Sequence, residues 1–329
     1  FHIQNAGDAA ASVTATFRVA GATYTKQYTN IPPNAMVVVT PGDAGVPAGQ
    51  GQVGSLTVTG SEMLAGTSLE HQHSAPVAQN LQASRAFTSA DYDDKVYCPL
   101  FRNAHTAQNL TTGAQVQNVG AGSQTVTFTY QPRDSGSVVT KSENVQPAAS
   151  ATFYAPFIGI PPGSVASVTI TGQDNIVAVV TDEGSENGVR RTTTYACFAA
   201  KKATPRVVLP LYKEYWIGNT SGIQIQNVAE NSAPADITIT YIATNTGARV
   251  TLKPGVSVPA GGSTTFFGVS QGIFPPTMTT VSGNRSALWN TYGSVIIESN
   301  TPIVAIANES GFGPNASGQD SKNYEGFNQ

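Results

Sequence analysis

Charged side chains are scarce in this chain: Asp, Glu, Lys and Arg together make up 11% of it, where an ordinary soluble domain carries about 25%. Only 17 Lys and Arg stand against 20 Asp and Glu. That leaves no basic stripe for nucleic acid or an anionic membrane surface, so neither is expected as a partner. Long apolar runs are also missing. The most continuous, 176–180 and 303–307, fall far short of the ~20 residues of a membrane-spanning helix. No stretch carries helical periodicity long enough to nominate a helix. The Gly-x-Ser-x-Gly of a nucleophile elbow and the phosphate-binding Gly-x-x-x-x-Gly-Lys are absent. Asp182, Glu183, Glu298 and Glu309 sit near strand ends without the pairing of a glycosidase dyad. No catalytic residue, cofactor or enzymatic activity is predicted.

What the chain does have is short runs of Val, Ile and Thr separated by Gly, Pro and Asn, the composition of an all-β sandwich. The clearest run is 222–241, GIQIQNVAENSAPADITITY. Ile223, Ile225 and Val228 precede a polar turn cluster; Ile237, Ile239 and Tyr241 follow it. Apolar residues two apart on both sides of a turn signal predict two half-buried antiparallel strands. The pattern occurs earlier as Gln115-Val116-Gln117-Asn118-Val119-Gly120 before Val126, Phe128 and Tyr130, and first as Ile3-Gln4-Asn5-Ala6-Gly7 before Val13, Ala15 and Phe17. The asparagines recur at intervals of 113 and 109 residues (5 to 118, 118 to 227). Repeats of that length are whole domains, and three are predicted: 1–92, 93–203 and 204–329.

The second and third units open alike, with Val96-Tyr97-Cys98-Pro99-Leu100-Phe101-Arg102 and Val207-Val208-Leu209-Pro210-Leu211-Tyr212-Lys213. Each unit is expected to close with a hairpin (54–59 with 63–69, 166–171 with 176–180, 293–298 with 303–307), followed by an aromatic signal at Phe87, Tyr195-x-x-Phe198 or Tyr324-x-x-Phe327. The first unit starts at a position equivalent to Ala114 and Ile223, so it lacks the opening strand. The chain is expected to begin one strand late and stop one strand early, leaving unpaired backbone for a neighbour to complete. A polar stretch, 311–323, is expected to be held by intermolecular contacts.

Several residues carry candidate chemistry. Cys98 and Cys197 mark the two ends of the second unit and predict a disulfide between its first and last strands; two buried thiols are the alternative. His71 and His73 share one side of a strand, but without a third ligand they predict no metal site. Asp91-Tyr92-Asp93-Asp94 lacks the Gly and distant Glu of a calcium loop and reads as a solvated joint. Trp216 and Trp289, with Tyr215 and Tyr292, could form a sugar platform or could be packing anchors.

The whole chain resembles the tandem immunoglobulin-like or fibronectin-III-like repeats of prokaryotic cell-surface and extracellular filament proteins. The resemblance rests on the Gln-Asn strand pairs, the Pro-containing mid-unit turns and the closing hairpins. It implies three Greek-key β-sandwiches in tandem, an extracellular or cell-surface location, and a polymer of copies of the chain built by donor-strand complementation. Phe1, His2, Ile3, Tyr324 and Phe327 are then the candidate assembly residues. An adhesin stalk or a module binding surface glycans is the alternative implied.

Overall fold

The computed structural model describes residues 1–49, 52–71, 81–106, 109–186, 189–311 and 322–329. The fold is all-β: strands alternate with five short 3-10 turns, and no α-helix occurs among the described residues. No helix there is long and apolar enough to cross a membrane.

The chain up to residue 92 supplies β1 (His2–Asn5), β2 (Ala11–Val19), β3 (Ala22–Ile31), β4 (Met36–Val38), β5 (Gly54–Gly60), β6 (Leu64–His71) and β7 (Leu81–Arg85). Residues 93–203 supply β8 (Asp93–Asn103), β9 (Thr111–Asn118), β10 (Gln124–Pro132), β11 (Val139–Val145), β12 (Ser150–Tyr154), β13 (Ser164–Glu186), β14 (Val189–Ala196) and β15 (Phe198–Ala199). The remainder supplies β16 (Thr204–Glu214), β17 (Asn219–Asn227), β18 (Ile237–Ala243), β19 (Arg249–Pro254), β20 (Ser263–Phe266), β21 (Met278–Ser282), β22 (Thr291–Gly311), β23 (Lys322–Glu325) and β24 (Phe327–Asn328).

Among the described residues, hydrogen-bonded sheets stay within these three stretches. Each asparagine-bearing strand has the same antiparallel neighbours. β1 lies between β4 and β6, β9 between β12 and β13, and β17 between β20 and β22. The registers agree residue for residue, with Asn5 opposite Leu64, Asn118 opposite Ile176 and Asn227 opposite Ile303. β2 shows why these segments become strands: Val13, Ala15 and Phe17 are buried while the residues between them face out, the two-residue period of a half-buried strand.

Two expectations need correction. The predicted closing hairpins do not form, because the two halves of each pair with different partners. In β13, residues 164–171 pair with β8 and β10, whereas 176–186 pair with β9 and β14. β22 passes between its sheets in the same way, and β5 and β6 likewise join different strands. The turn formers bend the strand from one set of partners to the other, and both halves send apolar residues into one core. At this bend a Cβ on Gly172 would lie 2.8 Å from the Asp174 carbonyl oxygen. There Gln124 Oε1 accepts hydrogen bonds from the backbone N–H of Gln173 and Asp174, both at 2.8 Å.

The chain also does not stop one strand early. β23 pairs with β22, and β24 pairs with β16 as β15 pairs with β8. The polar stretch before β23 falls, from residue 312 to 321, outside the described residues.

Among the described residues, one sheet of the first unit is narrower than its counterparts. Its second sheet runs β3-β2-β5 and ends there, whereas β8 follows the equivalent half of β13, and β16 that of β22. Its core is correspondingly thin. Leu56 and Val58 are only partly buried, while their equivalents Val168 and Ile170, and Val295 and Ile297, are 0% exposed. In the second unit, Cys98 of β8 and Cys197 beside β15 form the predicted disulfide.

Candidate functional site

Successive units share two equivalent contacts. Ser55 of β5 donates its hydroxyl to the Ala148 carbonyl at 2.5 Å, and Ser167 of β13 donates to the Gly261 carbonyl at 2.7 Å. The serines occupy one position of the repeat. So do Ala148 and Gly261, each donating its own N–H to the preceding buried asparagine's carbonyl and each in the left-handed region. Gln117 Nε2 reaches Thr57 Oγ1 at 3.2 Å; its counterpart Gln226 Nε2 reaches the Val168 carbonyl at 3.3 Å. Between the second and third units Lys95 adds an ion pair to Glu230 at 2.6 Å. There, too, Arg133 bonds Thr265 Oγ1 at 3.0 Å and lies 4.4 Å over the Phe274 ring. Val228, Val304 and Ile306 of the third unit complete the core of the second.

The contact occurs twice in the same sense, and equivalents of its two halves stand on the first and third units without making it among the described residues. On the first unit the acceptor half consists of Gln4, the Asn34 carbonyl, which already accepts from Gln4 Nε2 at 3.2 Å, and Asp8 at the place of Glu230. Met36 and Val38 stand beside it, 52% and 50% exposed. On the third unit the donor half consists of Ser294 at the place of Ser167, Ile296, and Arg206 at the place of Lys95. Phe327 is 63% exposed, while its equivalent Phe198, part of the second core, is 7% exposed.

The candidate assembly residues divide accordingly. His2 shares a side of β1 with exposed Gln4, and Phe327 is exposed on β24; both line one cleft. Ile3 is buried in the first core, and Phe1 packs edge-on against Phe17 with centroids 5.9 Å apart. Tyr324 is partly buried against the third core and donates its hydroxyl to the Leu211 carbonyl. These three residues support their own units. Asp8, Arg206 and Ser294 were missed; aligning the Lys95 and Glu230 positions across the repeat would have found the two charges.

The other candidates are also placed. Asp91 is buried between Arg85 and Lys202, caps a 3-10 turn at Thr88, and so is already neutralised. Burial pushes its carboxyl up, but hydrogen bonds from Arg85, Lys202 and Thr88 outweigh that and hold it well below the usual carboxylate range. Asp93 accepts from the Lys201 N–H at 2.9 Å. The His71/His73 pair falls outside the described residues. Within them, no group of three or more His, Cys, Asp and Glu could hold a metal ion. Tyr215 stacks on Trp289 at 4.2 Å and Trp216 lies 4.9 Å from Tyr292, forming one surface patch in which Trp289 is 49% exposed.

No family model matches the chain, and no curated protein does. Among solved structures, the chain is similar to the crystal structure of Thermotoga maritima 1070. That likeness is 15% identical over 32% of this chain and 94% of the other, with a TM-score of 0.29, and carries no argument.

Proposed function

We propose that the chain is a row of three immunoglobulin-like β-sandwiches serving as a structural subunit of an extracellular filament or surface assembly, and that a second copy docks end to end. Supporting this reading, the inter-unit contact is made twice within the chain in the same sense, and equivalents of its two halves stand on the third and first units. Arg206 on the donor face, which in this chain bonds Gln329 and lies 3.9 Å from Glu298, would re-pair with Asp8 on the acceptor face as Lys95 pairs with Glu230. Ser294 is set to donate to the Asn34 carbonyl. A head-to-tail contact of this kind does not close on itself and extends as a fibre. Scarce charge and a disulfide fit life outside the cytoplasm.

Light scattering and electron microscopy of the purified protein at rising concentration test the proposal. Arg206→Glu and Asp8→Lys should each prevent growth, and their mixture should restore alternating contacts. A strictly monomeric wild-type protein at high concentration would refute it.

The aromatic patch gives a second reading, in which the third unit binds surface glycans. Tyr215 and Ile217 adopt left-handed backbone, but so do the equivalent Ala104 and Thr106. The loop shape therefore belongs to the repeat and only its aromatic content is particular to this unit. A glycan array comparing wild type with Trp289→Ala would decide this reading.

A further inference from the structure

One connection in the third unit is much longer than its counterpart. Between the equivalent pairs Tyr154/Phe267 and Ser164/Thr291, the second unit has residues 155–163 and the third has 268–290, longer by 14 residues (23 against 9). Binding residues concentrate on connections of this kind when a rigid scaffold holds them. This one is held. Ser270 donates its N–H and its hydroxyl to the buried carboxylate of Glu214, at 2.7 and 2.6 Å. Val269 and Leu288 are buried in the third core, and β21 widens the sheet by pairing with β19.

The long connection supplies a polar pocket beside the aromatic patch. The pocket is open to solvent and holds about 420 Å³, within the ~300–1,000 Å³ of small-molecule sites. Ser270, Thr280, Asn284, Arg285 and Ser286 line it, and no described carboxylate does. Asn284 Oδ1 already accepts the N–H and the hydroxyl of Ser286, at 3.1 and 2.8 Å, which leaves its Nδ2 to donate. Arg285 makes no hydrogen bond or ion pair among the described residues. Its guanidinium packs over Gly272, where a Cβ would come within 3.0 Å of Nη2. The strongest groups left for a ligand are therefore N–H donors, one set of them permanently charged.

Pocket and patch form one surface. Arg285 opens the 3-10 turn Arg285–Leu288 and Trp289 follows it, which sets the two about 8 Å apart at a rise of ~2 Å per residue. Gln271, next to Gly272, accepts from the Tyr215 hydroxyl at 3.4 Å, and Tyr215 stacks on Trp289.

We propose, resting on the glycan reading of the aromatic patch, that this site takes an acidic saccharide. One sugar ring lies on Trp289, and the carboxylate of a neighbouring uronic or sialic acid sits against Arg285 and Asn284 Nδ2. A sugar ring offers an apolar face to the indole and acceptor oxygens at its rim. A guanidinium meets a carboxylate through two parallel N–H···O bonds.

The probes are oligouronates and sialylated oligosaccharides on an array, each beside its carboxyl-reduced, neutral counterpart, with the full chain applied at low salt. Acidic probes should bind roughly tenfold tighter than their reduced counterparts, and added salt should narrow the gap. Arg285→Gln should abolish the preference and keep the weaker neutral binding, whereas Trp289→Ala should remove both. Asn284→Asp keeps the acceptor for Ser286 but sets a like charge beside the ligand, and should lose the preference as well. Equal binding of acidic and reduced probes, or a preference that survives Arg285→Gln, would overturn the inference and leave the glycan reading standing. No binding to any probe would overturn both. Urea unfolding of the Arg285 and Asn284 variants, expected to match wild type, separates lost binding from lost folding.

Discussion

The buried asparagine of each unit acts as a clamp on three backbone groups. Asn118 donates from Nδ2 to the Gly122 and Val145 carbonyls at 2.8 and 2.9 Å and accepts the Gly120 N–H at 2.9 Å. Asn5 and Asn227 repeat this set, and all three are 0% exposed. An unsatisfied buried polar group costs about 1–3 kcal/mol, so Asn118→Leu should lower stability by about 3–5 kcal/mol in urea unfolding. This motif was legible because the clamp needs one residue type at one place before a turn.

Two titrating residues were not legible, since their behaviour depends on burial. His105 is held down to about 4, first by burial and then by Arg102 and Arg133. Its unfolded pKa is higher, about 6.5, so the unfolded chain binds more protons in between and stability falls as pH drops from 6.5 towards 4. Glu214 is raised by burial, against the opposing hydrogen bonds of Ser270. Here the native state holds the extra proton, and stability falls as pH rises through the window just above the ordinary glutamate value. Urea midpoints against pH should lose the first slope in His105→Asn and the second in Glu214→Gln.

At the scale of elements, the opening strand of the second unit is fixed at its middle and near its C-terminal end. In β8, Cys98 is bonded to Cys197 and Arg102 is buried against Asp182, whose other oxygen accepts from Thr112. Removing one partner of a buried pair costs about 3–5 kcal/mol, whereas replacing both by apolar groups is often neutral. Arg102→Met should therefore destabilise by about that much, and Arg102→Met with Asp182→Leu should recover most of it. The bond between first and last strands was legible because both cysteines stand where the other units carry Leu209 and Gly326, or Ala86. The misread hairpins have a physical cause. Gly and Asn signal a change of direction, but a local pattern does not say whether the chain returns to its own strand or crosses to the facing sheet. Tyr324's packing against its own unit was not legible for a related reason: a four-residue strand such as β23 is too short to show periodicity.

At the scale of the molecule, the junctions differ in what fills them. The second and third units share apolar core through Val228, Val304 and Ile306; the first adjoins its neighbour across an open cleft. The first unit also has the thinnest core, and the outer edge of β5 has no strand partner among the described residues. Two thermal transitions are expected, with the first unit melting alone and the other two melting together, and calorimetry with exchange protection read by segment would check the order. A single transition with uniform loss of protection would contradict this account.

The bond between Cys98 and Cys197 also governs how the chain carries load. The two residues are 99 apart in sequence, and a force applied at the ends passes through the sulfurs and bypasses everything between them. Roughly 330–360 Å of extended backbone is thereby kept from paying out. In an optical trap the oxidised chain should lengthen only by the outer units, and a reductant should release the remainder as one additional step.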